Sequence, residues 1–155
     1  MRRARAKRRK ITPDPIFNSV IVAKFINAVM QCGKKSIAQG IVYRSFDIIK
    51  AKAKKDPLEI FEKAVQNVGP LLEVKGQRIG GANYQIPHEV RGHRRQALAF
   101  RWIIAAADAR KGHSMEEKLS AEIMDAAQKE GGAIRKRDMV HKMADANKAF
   151  AHFAQ

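Results

Sequence analysis

The chain is 155 residues long, with 31 Lys and Arg against 15 Asp and Glu, a formal charge of +16. That length fits one domain with one modest core; the charge works against compactness unless a dense polyanion neutralises it, which nucleic acid does and a small metabolite does not. No run of ~18 apolar residues is present to span a bilayer, and the single Cys32 excludes an intrachain disulfide framework and fits a reducing compartment.

The first ten residues carry Arg2, Arg3, Arg5, Lys7, Arg8, Arg9 and Lys10 and no acid, so residues 1–12 read as a basic extension that is disordered alone. No apolar stretch of signal-peptide type follows Met1. Pro13 and Pro15 stiffen the start of a helical domain over residues 13–155. The spacing predicts a first helix over 18–32, stopped by Gly33, and a second over 35–54 whose last turn holds Lys50, Lys52 and Lys54. The third opens on Asp56 as cap, Pro57 at N1 and Glu59 at N3, and ends at Gly69-Pro70. A two-stranded ribbon then occupies 72–90, turning on Gly80-Gly81. The register is poorly fixed by sequence: pairing Ile79 with Ala82 sets Tyr84 beside Gln77 and Ile86 beside Lys75, so neither face is cleanly apolar and the ribbon is expected to project beyond the core. Pro87 makes its strand short or an edge. A fourth helix covers 91–111. A fifth starts at Ser114 with Glu117 at N3, buries Met115, Leu119, Ile123 and Ala126, and closes at Gly131-Gly132; a sixth covers 134–150 with Met139, Met143, Ala146 and Phe150 on one stripe. The fold class is mainly α: six helices, a protruding β-hairpin and a basic arm.

Chemistry concentrates in the cations. At 100° per residue, Arg91, Arg94, Arg95 and Arg101 fall within an arc of roughly 120°, opposite Phe100, Ile103, Ile104 and Ala107. One face of the fourth helix therefore packs, and the other offers guanidinium forks suited to phosphate. Leu98 and Trp102 project within the basic arc. Trp102 has two readings, stacking on an unpaired base or packing on a neighbouring helix; packing is preferred for the only Trp of a small domain. Lys34-Lys35 at a helix start make an anion seat or an ordinary exposed turn. Arg135-Lys136-Arg137 place three cations at the positive end of a helix dipole, which argues for a phosphate partner. Glu116, Glu117, Glu122, Asp125 and Glu130 make the fifth helix acidic, so it is expected to face solvent or a basic protein, away from RNA.

Catalysis has no support. There is no P-loop, no G-x-S-x-G and no H-E-x-x-H. His88 and His93 lack the further ligands of a metal site, and nothing obvious activates Cys32. No cofactor or small-molecule substrate is expected. A free-standing DNA-binding protein remains a rival reading, since ribbons and arms enter DNA grooves; an RNA-processing enzyme would need an acid–base or metal set that is not found.

Several stretches together resemble the family of bacterial small-subunit ribosomal protein seven. They are Asp14-Pro15, Asn27-Ala-Val-Met30, Gly33-Lys-Lys-Ser-Ile-Ala38, Val68-Gly-Pro70 and Glu73-Val-Lys75. Arg78-Ile-Gly-Gly-Ala-Asn-Tyr-Gln-Ile-Pro87, Arg94-Arg95, Ala97-Leu-Ala99, Arg101-Trp102, Asp125-Ala-Ala127 and Met143-Ala-Asp-Ala-Asn-Lys-Ala-Phe-Ala-His152 continue the match over nearly all of the chain. The resemblance implies a helical fold with a β-ribbon, on a cytoplasmic, ribosome-bound protein. It implies primary binding to the 3′ major domain of 16S ribosomal RNA and nucleation of small-subunit head assembly. The ribbon, with Gly80, Gly81, Asn83 and Tyr84 at its tip, would lie near the exit site, close to tRNA, mRNA and small-subunit protein eleven, with protein nine another head neighbour. Carried over by position, the arm, Lys34, Lys35, Lys75, Arg78, Arg94, Arg95, Lys136 and Arg137 would contact RNA. Arg91, Arg101 and Arg135 join them on the chemistry above.

Overall fold

The computed structural model describes residues 10–153. Six α-helices appear among them: α1 (Val20–Val29), α2 (Lys35–Ala53), α3 (Pro57–Val68), α4 (Gly92–Ala109), α5 (Met115–Ala127) and α6 (Gly131–Ala146). Strands β1 (Leu72–Ile79) and β2 (Ala82–Glu89) form one antiparallel ribbon between α3 and α4, and a 3₁₀ helix (Lys148–Phe153) follows α6. The mainly-α expectation with a hairpin insert holds. The basic block Arg2, Arg3, Arg5, Lys7, Arg8 and Arg9 lies outside the described residues, while Lys10 is exposed.

Four phenylalanines knit the core. Phe61 of α3 lies 4.8 Å from Phe25 and 5.4 Å from Phe46, ring centre to ring centre, and Phe25 lies 5.2 Å from Phe100. These separations suit tilted and edge-on aromatic pairs, and they tie α1, α2, α3 and α4 together. α3 begins as its residues predict: Pro57 sits at N1, and the Asp56 carboxylate accepts from the Leu58 N–H at 3.0 Å. The chain before α1 is held by a group that the sequence did not advertise. Asp14 is 3% exposed and accepts from the Ile16 and Phe17 N–H groups and from the Tyr43 hydroxyl at 2.7 Å, which fastens the Pro13–Pro15 segment to α2.

Several expectations are corrected. The first helix ends at Val29, and Cys32 and Gly33 follow it in a turn with φ of 52° and 72°. α5 is not an outer acidic face. It packs against α2, α3, α4 and α6, and Glu122 on it is 1% exposed. Ser114 makes no side-chain cap bond to the α5 backbone. Gly131-Gly132 does not close α5. That helix ends at Ala127, Lys129 takes the left-handed turn at φ 65°, and Gly131, at φ 94°, opens α6. The expected apolar stripe on the last helix is mostly outside: Met139 is 54% and Met143 43% exposed, and the α-helix stops at Ala146. Ala133, Ile134 and Ala144 bury the inner face of α6 instead. Leu98 also leaves the basic arc of α4 for the interior.

The ribbon pairs in the expected register, with Ile79 opposite Ala82, Gln77 opposite Tyr84 and Lys75 opposite Ile86. Gly80 and Gly81 take φ of 57° and 92°, the left-handed pair that a two-residue type I′ turn needs. Pro87 is accommodated because each strand of a two-stranded ribbon is an edge. The ribbon's base, however, is part of the body. Ile86 is fully buried, Tyr84 lies 5.2 Å from the Phe150 ring, and both strands pack on α6, with β2 also against the 3₁₀ helix. Eight residues per strand span roughly 26 Å, so only the distal half, from Lys75 to the tip, is solvated.

Candidate nucleic-acid interface

A run of four exposed residues, Lys75, Gly76, Gln77 and Arg78, marks where β1 leaves the body. Gly80, Gly81 and Asn83 are exposed at the tip. Tyr84 is turned from the tip toward Phe150, so the ribbon end presents backbone, the Asn83 amide and the Arg78 guanidinium.

At its root the ribbon is coupled to α4 by a carboxylate. Glu73 pairs with Arg94 at 3.2 Å and with Lys75 at 3.5 Å; its side chain is 15% exposed, while those cations are 50% and 59% exposed. One acid thus lies beneath two cations, leaving a net positive surface and a fixed angle between ribbon and helix. Arg91, at the start of α4, and Arg101, nearly three turns farther on, are exposed and make no ion pair among the described residues. Arg95 has a different duty. Its Nε donates to the Gly69 carbonyl at 3.1 Å and its Nη2 to the Gln66 carbonyl at 3.3 Å, satisfying acceptors at the C-terminal end of α3. The approach is close enough that a Cβ on Gly69 would lie 2.8 Å from Arg95 Nε. Trp102 is half-buried against the core, as the packing reading expected.

Lys34 is the N-cap residue of α2 and Lys35 its first residue; both are exposed. Arg135 and Lys136 on α6 are exposed, but Arg137 turns inward. It donates to the Asn67 carbonyl at 2.6 Å and pairs with Asp138, while Asn67 itself donates to the Ala126 and Ala127 carbonyls at the end of α5. The start of α6 already has an anion within the protein, while Arg135 and Lys136 stay exposed beside it. Glu122 occupies that position, accepting from the Ala133 N–H at 2.8 Å. Arg110 binds the same Glu122 carboxylate through Nε at 2.9 Å and also pairs with Asp125. Burial opposes the Arg110 charge, but the hydrogen bonds and charges of Asp125 and Glu122 outweigh it and raise its pKa above the ordinary value. At the other end of α5, Glu116 is held below the usual carboxylate range by a bond from its own backbone N–H, then by the Ser114 hydroxyl, with Arg44 3.2 Å away adding attraction.

Residue patterns missed Lys24, Gln96 and Asp108, which with His93 and Arg101 line a groove of about 620 Å³ between α1 and α4. Helical spacing places Lys24 on the flank of α1 beside Ile21 and Ala28; no local signal says that α4 runs alongside. Among the described residues no group of three His, Cys, Asp or Glu could hold a metal ion, and no helix is long and apolar enough to cross a membrane.

Residues 1–148 match the family described as ribosomal protein S7p/S5e. The chain is 60% identical over 153 residues to small ribosomal subunit protein uS7 of Thermotoga neapolitana, covering 99% of each. It is 59% identical over 152 residues to that of Carboxydothermus hydrogenoformans, covering 98% of this chain and 97% of the other. For the protein of the same name in Dechloromonas aromatica the identity is 57% over 152 residues, with 98% and 97% covered. The family match over residues 1–148, on a helical body carrying one β-ribbon, and identities of 57–60% over nearly the whole chain place this chain in the ribosomal protein S7p/S5e family.

Proposed function

We propose that the chain is a primary 16S rRNA-binding protein that closes on the 3′ major domain and nucleates assembly of the small-subunit head. Members of its family are ribosomal proteins, and its role is structural, with no bond made or broken. The observation that carries the finer reading is the set of exposed cations on the ribbon and α4: Arg78 and Lys75, with Glu73 joining Lys75 to Arg94, and Arg91 and Arg101 on the same helix. Phosphate contacts by such cations orient RNA helices without reading sequence. Lys34, Lys35, Arg135 and Lys136 provide further exposed cations on other elements, and the extension carrying Arg2, Arg3, Arg5, Lys7, Arg8, Arg9 and Lys10 adds charge that can fold onto RNA. Arg95 and Arg137 act chiefly inside the protein. The ribbon tip would then lie near exit-site tRNA and mRNA, beside small-subunit protein eleven, with protein nine a further neighbour, in a cytoplasmic ribosome.

A nuclease footprint on ribosomal RNA tests this reading, with the full chain, with residues 1–12 removed and with the ribbon shortened. Protection should fall in the 3′ major domain and contract with each deletion. A footprint elsewhere, or stronger binding to duplex DNA at equal salt, would reverse it.

A further inference from the structure

The groove between α1 and α4 combines features that a phosphate track alone does not need. Its floor is apolar: Phe100 is 4% exposed, and Ile104 continues it. The facing walls are the small side chains of Ala28 on α1 and Ala97 on α4, both exposed. Cations stand at its rim. Lys24 donates one proton to the Gln96 amide oxygen at 3.3 Å and keeps two others, and Arg101 has no partner among the described residues. Asp108, an exposed carboxylate with no ion pair among the described residues, also lines the cleft. A volume of about 620 Å³ lies in the range of clefts that enclose a small planar ligand.

We infer that this groove seats one unpaired guanine nucleotide of the ribosomal RNA, an inference that rests on the RNA-binding reading above. An inorganic phosphate would find the Asp108 carboxylate repulsive and the apolar floor useless. An extruded nucleotide supplies matching chemistry throughout: a flat base for the floor, a phosphate for Lys24 and Arg101, and N–H donors for Asp108. Guanine fits a carboxylate best, because its N1–H and exocyclic N2–H lie side by side on the Watson–Crick edge, whereas adenine and cytosine offer only the exocyclic amine there. Asp108 would give this contact a base preference that the outer cations lack, while Gln96 holds the Lys24 ammonium at the far end of the groove.

The test fills the groove without changing charge. Ala97→Phe and, on the facing wall, Ala28→Leu alter exposed positions, and thermal unfolding checks that each variant folds. Binding to ribosomal RNA should weaken on the order of 10-fold, the scale of losing one stacked base, with the salt slope falling by no more than about 1 for the phosphate at Lys24 and Arg101. One guanine protected from kethoxal by the unaltered protein should become reactive again. Asp108→Asn should give the same exposure of that guanine, and Arg101→Gln should reduce the salt slope by about 1. If the unaltered protein binds RNA with the expected salt dependence but no guanine's reactivity follows groove filling, the groove holds no base and the RNA-binding reading stands. If the unaltered protein does not bind ribosomal RNA, both fall.

Discussion

At the junction of α5 and α6, Arg110 commits its guanidinium to Glu122 and Asp125. On the ribbon, Arg78 is exposed and pairs with nothing among the described residues. The first site closes a helix terminus against the core; the second leaves a charge whose hydration is surrendered only to an external anion. Arg95 and Arg94 repeat the contrast one residue apart on α4. Arg95 satisfies two carbonyls of the α3 terminus, while Arg94, half exposed, shares Glu73 with Lys75. The lesson is that a cation's role here depends on how fully carbonyls and carboxylates of the fold engage and cover it, and not on its place in a basic run.

The comparison is tested most strongly by salt. If the exposed cations and the extension close on 6–10 duplex phosphates, affinity for ribosomal RNA falls by roughly 10³–10⁵ between 50 and 200 mM salt, while folded stability changes little. A filter-binding titration that is flat across that range breaks the division between the two kinds of cation. Next in size is Glu122→Ala, which strips the Ala133 N–H and the Arg110 guanidinium of a buried acceptor. Because Arg110 is one-third exposed and keeps Asp125, the cost should be about 3 kcal/mol, at the lower end for a broken buried pair. Urea unfolding measures it, and the RNA affinity of the folded fraction should stay the same.

Arg95→Ala against Arg78→Ala sharpens the contrast further. The first should lower stability by about 1.5 kcal/mol through the orphaned carbonyls of Gly69 and Gln66. The second should leave stability alone and reduce the salt slope of binding by about 1. Equal effects on both quantities would show that the two arginines are not divided as described.

The smallest effect is complete at neutral pH and is lost only in the alkaline range. Burial, reinforced by the bond to Asp14, raises the Tyr43 pKa from 10.0 to about 12. Between those values the folded chain keeps a proton that the unfolded chain releases, so this contribution is complete below pH 10 and is lost as pH rises toward about 12. Tyr43→Phe should be weaker by about 1 kcal/mol at neutral pH, having lost a hydrogen bond, yet show less decline through the alkaline window. An unchanged alkaline decline in the variant would remove Tyr43 from that role.

Much of the architecture was legible because it rests on local physics. The Asp56-Pro57 start of α3 follows from backbone groups that need a cap, and the Gly80-Gly81 turn from the positive φ of a tight hairpin. The ribbon register was weakly specified, because neither face is cleanly apolar, and the structure settles it with Ile79 opposite Ala82. Periodicity was less informative for α5 and α6. Five acids made α5 read as an outer helix, although Glu122 is buried by a bond to a backbone N–H that only the α5–α6 turn brings near. Met139 and Met143 made an apolar stripe that the packing of α6 leaves outside. The candidate site divides similarly: Lys75, Arg78, Arg91 and Arg101 are exposed as expected, whereas Arg95 and Arg137 turn to carbonyls on other elements.

By itself the sequence determined the basic character, the helical class and the hairpin turn, all consequences of charge, periodicity and backbone torsions acting over short distances; the ribbon register, which no clean apolar face dictated, came from the structure. Tertiary structure decided which cations face outward, that Glu73 couples the ribbon to α4, that Glu122 closes the start of α6, and that Lys24 meets Gln96 across a groove. Those outcomes depend on partners 11 to 72 residues away, and a side chain's burial is set by the element that comes to rest against it.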